Sequence, residues 1–336
     1  MKRLEILIPH YHEPAEVIKP LLDSIAIQQN VDFNDIGVII CHDGEEIDEF
    51  SFIFGWGGPY KTVLPEYPFE IKQIHIPHGG VSAARNAALD ASEAEYVMFC
   101  DSDDMFFNAC GLWVIFRDLA ENEVDTYVST FLEETRTVDT DKVVYLVHTD
   151  DCTFVHGKIH RRQYLIDQKI RGNEKLTVHE DSYFNILCQS LTEKKYDCPT
   201  AFYLWKYRKE SVCRHDPKYM LKTYHNLIES SDALIEEFQR RDKPEKVKFY
   251  VVCAILDAYY TMNKPDWINQ DNHEYRENTE RRFAQYFQKY KATWESVSER
   301  EKMVASNHIR ARNVHDGMGM ENITISDWLE HIQDLN

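Results

Sequence analysis

The sequence predicts an α/β protein, a mostly parallel sheet flanked by helices and followed by a helical C-terminal part. Three observations carry that expectation. Short apolar runs alternate with helix-period segments through the first hundred residues, the pattern that builds parallel sheets with right-handed crossovers. Three of the four apolar runs end in polar clusters, and open α/β sheets bind ligands beyond the carboxyl ends of their strands. From about residue 216 onward, apolar residues recur at helical spacing only.

The elements follow in order. Residues 4–8 form a short apolar strand closed by Pro9, with His10, Tyr11 and His12 behind it. Residues 15–29 carry Val17, Ile18, Leu21, Leu22 and Ile25 at helical spacing. A second buried strand over 37–41 runs into His42, Asp43 and Gly44, and a third covers 71–76. Gly79 and Gly80 open a helix over 82–89, with Ser82 expected as its cap. A fourth strand over 96–100 runs into Asp101, Ser102, Asp103 and Asp104. Thr177 and Glu180 fit a capping box ahead of an amphipathic helix carrying Phe184, Leu187, Cys188 and Leu191. Three C-terminal helices are marked by Met220, Tyr224, Leu227, Leu234 and Phe238, by Val251, Val252, Ile255 and Leu256, and by Phe283, Phe287, Tyr290 and Trp294. A boundary near Asp216 and Pro217 divides domains 1–215 and 216–336. The aromatic, Gly- and Pro-rich stretch between Asp43 and Ile71, including Phe54 and Tyr60, reads as a surface loop or lid.

Composition bounds the function. Of 336 residues, 43% are apolar and 12% aromatic, enough for a packed core. The 57 acidic against 38 basic residues give a net charge of −19, a field that repels phosphate backbones and anionic membranes and argues against nonspecific nucleic-acid binding. Eight scattered cysteines without a C-x-x-C pair read as small hydrophobes in a reducing compartment, not as a zinc site. The apolar run 249–256 is far shorter than the ~18 residues of a membrane span. The N-terminal run, broken by Glu5, lacks a signal-peptide pattern. The expected compartment is the cytoplasm. Neither G-x-S-x-G nor G-x-x-x-x-G-K-[ST] occurs.

The candidate chemistry is carboxylate-based. If the chain stays extended after the fourth strand, Asp101 and Asp103 project to one side about 7 Å apart, placing one on a divalent cation and the other on a ligand hydroxyl. The bland alternative is that Asp103 or Asp104 caps the next helix. Arg85, a turn inside an alanine-rich helix, needs a carboxylate partner, and the functional reading puts it and Asn86 beside the acidic loop. Asp181 lies in a first helical turn, where the dipole favours its ionised form, and an ionised carboxylate in a cleft suits a general base. His10, His12, His42, His75 and His78, all near strand ends, read as polar loop residues.

Taken together, the residues resemble the family 2 glycosyltransferases of GT-A fold. The resemblance covers roughly residues 1–215 and rests on 6–11, 24–29, 42–44, 80–86, 99–104, 158–165, Glu180 with Asp181, and Tyr207 with Arg208. His12, His42 and Ala88 depart from the family pattern. It implies a GT-A catalytic domain that transfers a sugar, with inversion, from a nucleoside diphosphate sugar, a UDP-sugar by expectation, to an acceptor hydroxyl. It further implies donor contacts from Pro9, Tyr11, Asp43, Arg85, Asp101 and Ser102, with Asp43 at the nucleobase. Asp103 with Asp101 would hold Mn²⁺ or Mg²⁺, Asp181 beside Glu180 would take the acceptor proton, and Arg208, with Ser211 nearby, would close over the diphosphate. Lys158 would face the acceptor side or be an ordinary surface lysine, and the acceptor stays open among glycan, wall polymer, protein and modified base. The helical tail is expected to oligomerise the chain, to present the acceptor, or to cover one flank of the catalytic domain. Two other readings compete: a metal-dependent nucleotidyl or phosphoryl transferase, which has no need of Asp181, and a non-catalytic nucleotide-sugar binding module.

Overall fold

The computed structural model describes residues 1–44, 67–137, 140–209, 211, 218–313 and 324–335. The expected lid around Phe54 to Tyr60 and the expected boundary at Asp216 and Pro217 lie outside the described residues. Two compact units emerge, Met1–Ser211 and Val212–Asn336.

The first unit is built on a nine-stranded sheet. Its parallel half comprises β1 (Leu4–His10), β2 (Ile36–Asp43), β3 (Glu70–Ile76) and β4 (Tyr96–Phe99), ordered β3-β2-β1-β4. Every residue of β2 is buried, which is why the sequence there is a continuous apolar run and not an alternation. Helix α1 (Ala15–Ala26) buries Ile18, Leu21, Leu22 and Ile25 and tolerates Pro20 within it. Helix α2 (Val81–Ala91) follows β3. The strands run in register, so His10, His42 and His75 fall in one row across β1, β2 and β3.

The second half of the sheet mixes directions. β5 (Met105–Phe106), β6 (Thr126–Arg136), β7 (Val143–His148), β8 (Lys158–Arg161) and β9 (Lys195–Trp205) complete it. β8 lies antiparallel between β4 and β6, while β6 pairs in parallel with β9 and carries β7 as an antiparallel edge. Helices α3 (Gly111–Glu121), α4 (Arg162–Asp167) and α5 (Glu180–Ser190) belong to this half. The mostly parallel expectation thus describes β1 to β4, and antiparallel strands carry the sheet beyond them.

Two expected caps are corrected. Helix α2 begins one residue earlier than expected, with Gly80 at its N-cap in a positive-φ conformation (φ 88°) and Ser82 inside the helix. Helix α5 is preceded by His179 in the left-handed region (φ 61°) with no side-chain cap bond, so Thr177 and Glu180 do not form a capping box.

The second unit is helical, as its sequence pattern requires. Its main helices are Tyr224–Arg240, Pro244–Met262, His273–Ser296 and Glu299–Asn313. Leu234, Phe238, Val251, Val252, Ile255, Phe283, Phe287 and Tyr290 form the buried stripes, and Trp267, fully buried, donates its indole N–H to Glu280 at 2.9 Å. Among the described residues no helix is long and apolar enough to cross a membrane.

Candidate active site

The parallel strands end at two distinct corners. At the first, Asp43 closes β2 with its carboxylate buried. It accepts hydrogen bonds from the amides of Gly79 at 2.6 Å and Gly80 at 2.9 Å, and from His78 Nδ1 at 3.0 Å. Glycine at residue 80 is what lets two successive amides converge on one carboxylate, because φ 88° is strained for any L side chain. The His78 ring stacks on Tyr11 with centroids 4.5 Å apart and planes 21° from parallel. Tyr11, His12, Gly44, His75, Ile76, Pro77 and His78 line a cleft of about 720 Å³. Pro9 lies one residue before the end of β1. Below the cleft His10 Nδ1 and His42 Nδ1 are 3.0 Å apart, and His42 stacks on His75. Of the strand-end histidines, His10 and His42 are thus buried and, with His75, form a row on the strands and are not loop residues, while His12 and His78 are exposed and lie outside the strands, as expected.

The second corner is acidic. The chain turns after β4, with the Asp104 amide donating to the Asp101 carbonyl at 3.3 Å, so Asp101 and Asp103 do not project side by side from an extended strand. Each carboxylate goes elsewhere. Asp101 accepts from Arg85 at 2.9 Å and Asp103 from Arg208 at 3.0 Å. Asp104, fully buried, accepts from the Tyr203 hydroxyl at 2.6 Å and the Lys206 amide at 2.9 Å, so neither Asp103 nor Asp104 is a helix cap. Ser102 is buried within the turn.

The structure gathers a donor set that differs from the expected Asp101 and Asp103. Ligand atoms of Asp101, Asp104 and His156 lie within 4.8 Å of one another, and Asp103 is not part of that group. Among the described residues His156 Nδ1 is buried without a hydrogen-bond partner, 3.5 Å from Asp104 Oδ2. Burial lowers the His156 pKa to about 4, leaving the neutral imidazole that ligates metals. Burial and the neighbouring Asp101 push the Asp104 carboxyl well above its ordinary range, and burial with Asp101 also raises Asp103. Two carboxylates and a neutral imidazole fit a divalent cation, which would relieve that repulsion. Sequence reasoning missed His156 because β8 brings it in from a distant segment.

Arg85 ties the acidic turn to helix α5. Its guanidinium donates to Asp101 and, at 3.1 Å, to Glu180 Oε1. Burial raises the Asp101 carboxyl, but Arg85 overrides it and holds Asp101 below its ordinary value. Asp181, next to Glu180, accepts from the Ser182 amide at 2.7 Å and has no ion pair among the described residues. Burial first, and the charge of Glu180 second, raise its pKa to about 7. Ser82 Oγ and Arg85 Nε, both buried without hydrogen-bond partners among the described residues, line a void of about 10 Å³, room for about one water. Asn86 braces the segment before α5 by donating to the Gly172 carbonyl at 3.0 Å and to Glu174 at 2.9 Å. Lys158 is neither a surface lysine nor directed at an open cleft. It is fully buried, paired with Asp151 at 2.9 Å, and locks the loop that carries His156.

The chain is similar to known glycosyltransferases. The model of the family described as Glycosyl transferase family 2 matches residues 5–176. The uncharacterized glycosyltransferase EpsJ of Bacillus subtilis (strain 168) is 23% identical over 228 residues, 62% of this chain and 62% of that protein. The poly(ribitol-phosphate) beta-glucosyltransferase of Bacillus spizizenii is 22% identical over 329 residues, 92% of this chain. The chain spans 62% and 48% of the lengths of these two relatives. Among solved structures, S. aureus TarS 1-349 in complex with UDP-GlcNAc superposes with a TM-score of 0.64 at 16% identity, over 99% of this chain and 90% of that one. The fold is therefore the GT-A type expected from sequence, with C-terminal helices after the catalytic sheet.

Proposed function

The chain belongs to glycosyl transferase family 2, and from that premise we propose that it transfers a sugar, with inversion, from a UDP-sugar to an acceptor hydroxyl, with Asp181 as general base. The observation that carries this reading is the Arg85 bridge between Asp101 and Glu180, which holds the expected donor side and the expected acceptor side in one fixed frame. The UDP-GlcNAc held by the TarS structure supports the donor class. The name of the poly(ribitol-phosphate) relative makes a polyol-phosphate wall polymer the acceptor to test first.

Asp43, with Tyr11 and Pro9, receives the nucleobase. Asp101 and Ser102 take the ribose side, and Asp101, with Asp104 and His156 or with Asp103, would hold Mn²⁺ or Mg²⁺. When bound, such a cation supplies charge neutralisation for the departing diphosphate. Arg208, parked on Asp103, is within the same turn region and offers a planar donor pair suited to phosphate. Asp181 removes the acceptor proton as the acceptor oxygen bonds to the anomeric carbon and the bond from that carbon to the diphosphate breaks. Its pKa of about 7 places it where a base is both ionised and strong enough near neutrality.

The test is nucleoside diphosphate release from a panel of nucleotide sugars with Mn²⁺ and a polyol-phosphate acceptor, beside EDTA and Asp181→Asn controls. Release from one donor, lost in both controls, is expected. Turnover that survives Asp181→Asn would instead favour the phosphoryl-transfer reading, which does not use that residue.

A further inference from the structure

Resting on the assignment of the nucleobase to Asp43, we propose that His78 occupies the seat of the base in the donor-free protein and is an internal competitor of the donor. Three observations meet on this one side chain. The imidazole stacks on Tyr11 at 4.5 Å and 21°. Its Nδ1 donates to Asp43 Oδ2 at 3.0 Å. It lines the 720 Å³ cleft, and its side chain is 58% exposed there while that of Asp43 is 4% exposed.

A flat heteroaromatic ring that stacks on a tyrosine and donates one N–H to a buried carboxylate does what a pyrimidine with a ring N–H would do in the same cleft. The other donors to Asp43, the amides of Gly79 and Gly80, come from the backbone at the start of α2 and are part of the seat itself. Gly44 leaves the side of the seat open, since even a Cβ there would come no closer than 3.8 Å to Tyr11 and 4.0 Å to His78. His78 is thus the one group among these that can leave, being a solvent-facing side chain, and the base takes its stack and its carboxylate oxygen when it does.

The competition has a defined thermodynamic form. A group that fills the seat lowers the apparent affinity of every nucleotide by the same factor, the fraction of molecules with the seat open. Removing it raises all affinities equally and leaves the preference between bases unchanged. A residue that touches the bound base would do the opposite and change the preference.

The experiment is calorimetric titration of wild type and His78→Ala with UDP and with CDP, alongside Asp43→Asn. For His78→Ala, UDP and CDP affinities are expected to rise together by about two- to fivefold, the scale of one exposed contact, with their ratio unchanged. A fall in affinity, no change, or a shifted UDP-to-CDP ratio would overturn the competitor role while leaving nucleotide binding intact. If neither protein binds any nucleotide, or Asp43→Asn binds UDP as well as wild type, the seat is not at Asp43 and the proposal falls with the reading beneath it.

Discussion

The two corners at the strand ends handle charge in opposite ways. At the Asp43 corner a single carboxylate is satisfied by two backbone amides and one imidazole, so the corner is finished before any ligand arrives. At the other corner Asp101, Asp103, Asp104, Glu180 and Asp181 face two guanidiniums, Arg85 and Arg208. Negative charge is left over there, and burial first, with the neighbouring carboxylates second, raises the pKa values of Asp103, Asp104 and Asp181. The contrast separates tasks: the satisfied corner is built for recognition, and the frustrated one is built for chemistry and for cations.

The largest test of that separation is Asp181→Asn. Transfer should fall about 10²–10⁴-fold with UDP binding unchanged, measured by sugar transfer and calorimetry. In wild type, kcat/KM should climb with pH through about 7 as Asp181 ionises, and the variant should lack that limb. Stability has the opposite sign. The folded protein keeps this proton up to about 7 while an unfolded chain releases it near ~3.9, so the native state binds more protons between those values and stability falls as pH rises through them. At pH 8 Asp181→Asn should therefore melt higher, by about 2–4 °C for each kcal/mol relieved. A variant that is dead yet less stable at pH 8 would break the account of the acidic corner.

Arg85→Lys comes next. A lysine cannot reach Asp101 and Glu180 together as the guanidinium fork does, and about a 10²-fold loss of kcat is expected from misplacement alone, visible in single-turnover rates with little change in UDP affinity. The smallest effect sharpens the comparison from the other side. Asp43→Asn should weaken UDP binding about tenfold, or ~1.4 kcal/mol, with kcat at saturating donor retained. A kcat defect as large as the binding defect would show that the two corners do not divide the work.

Much of this is legible in the sequence because it is local. Buried parallel strands are continuous apolar runs, and the residues just after each run lie by topology at the ligand edge, which is why Asp43 and Asp101 stand out. Arg85 stands out because a charge in an alanine-rich helix needs a partner, and the structure gives it two. The features that the sequence conceals depend on distant pairing. Asp104 is buried only because Tyr203 and Lys206 meet it, and His156 reaches the acidic turn only because β8 lies between β4 and β6. No spacing near residue 104 or 156 announces either. Ser82 fails as a cap for a subtler reason: the helix already starts at Val81 with Gly80 supplying the backbone turn, and the Ala84 amide that a cap at residue 82 would have served is taken by the Gly80 carbonyl at 3.1 Å.

The pairing of β6 with β9 also sets a schedule. Strand β6 is translated long before the residues of β9 that complete its parallel side, and at about 5–20 residues per second it waits several seconds with Tyr127, Val128 and Phe131 available only to its antiparallel neighbours. During that interval the acidic turn has neither the Tyr203 hydroxyl nor the Arg208 guanidinium that hold it in the finished protein. The nascent chain thus carries its acidic turn and the apolar half of β6 unguarded at the same time. Both are complete only once the residues of β9 and Arg208 have been made.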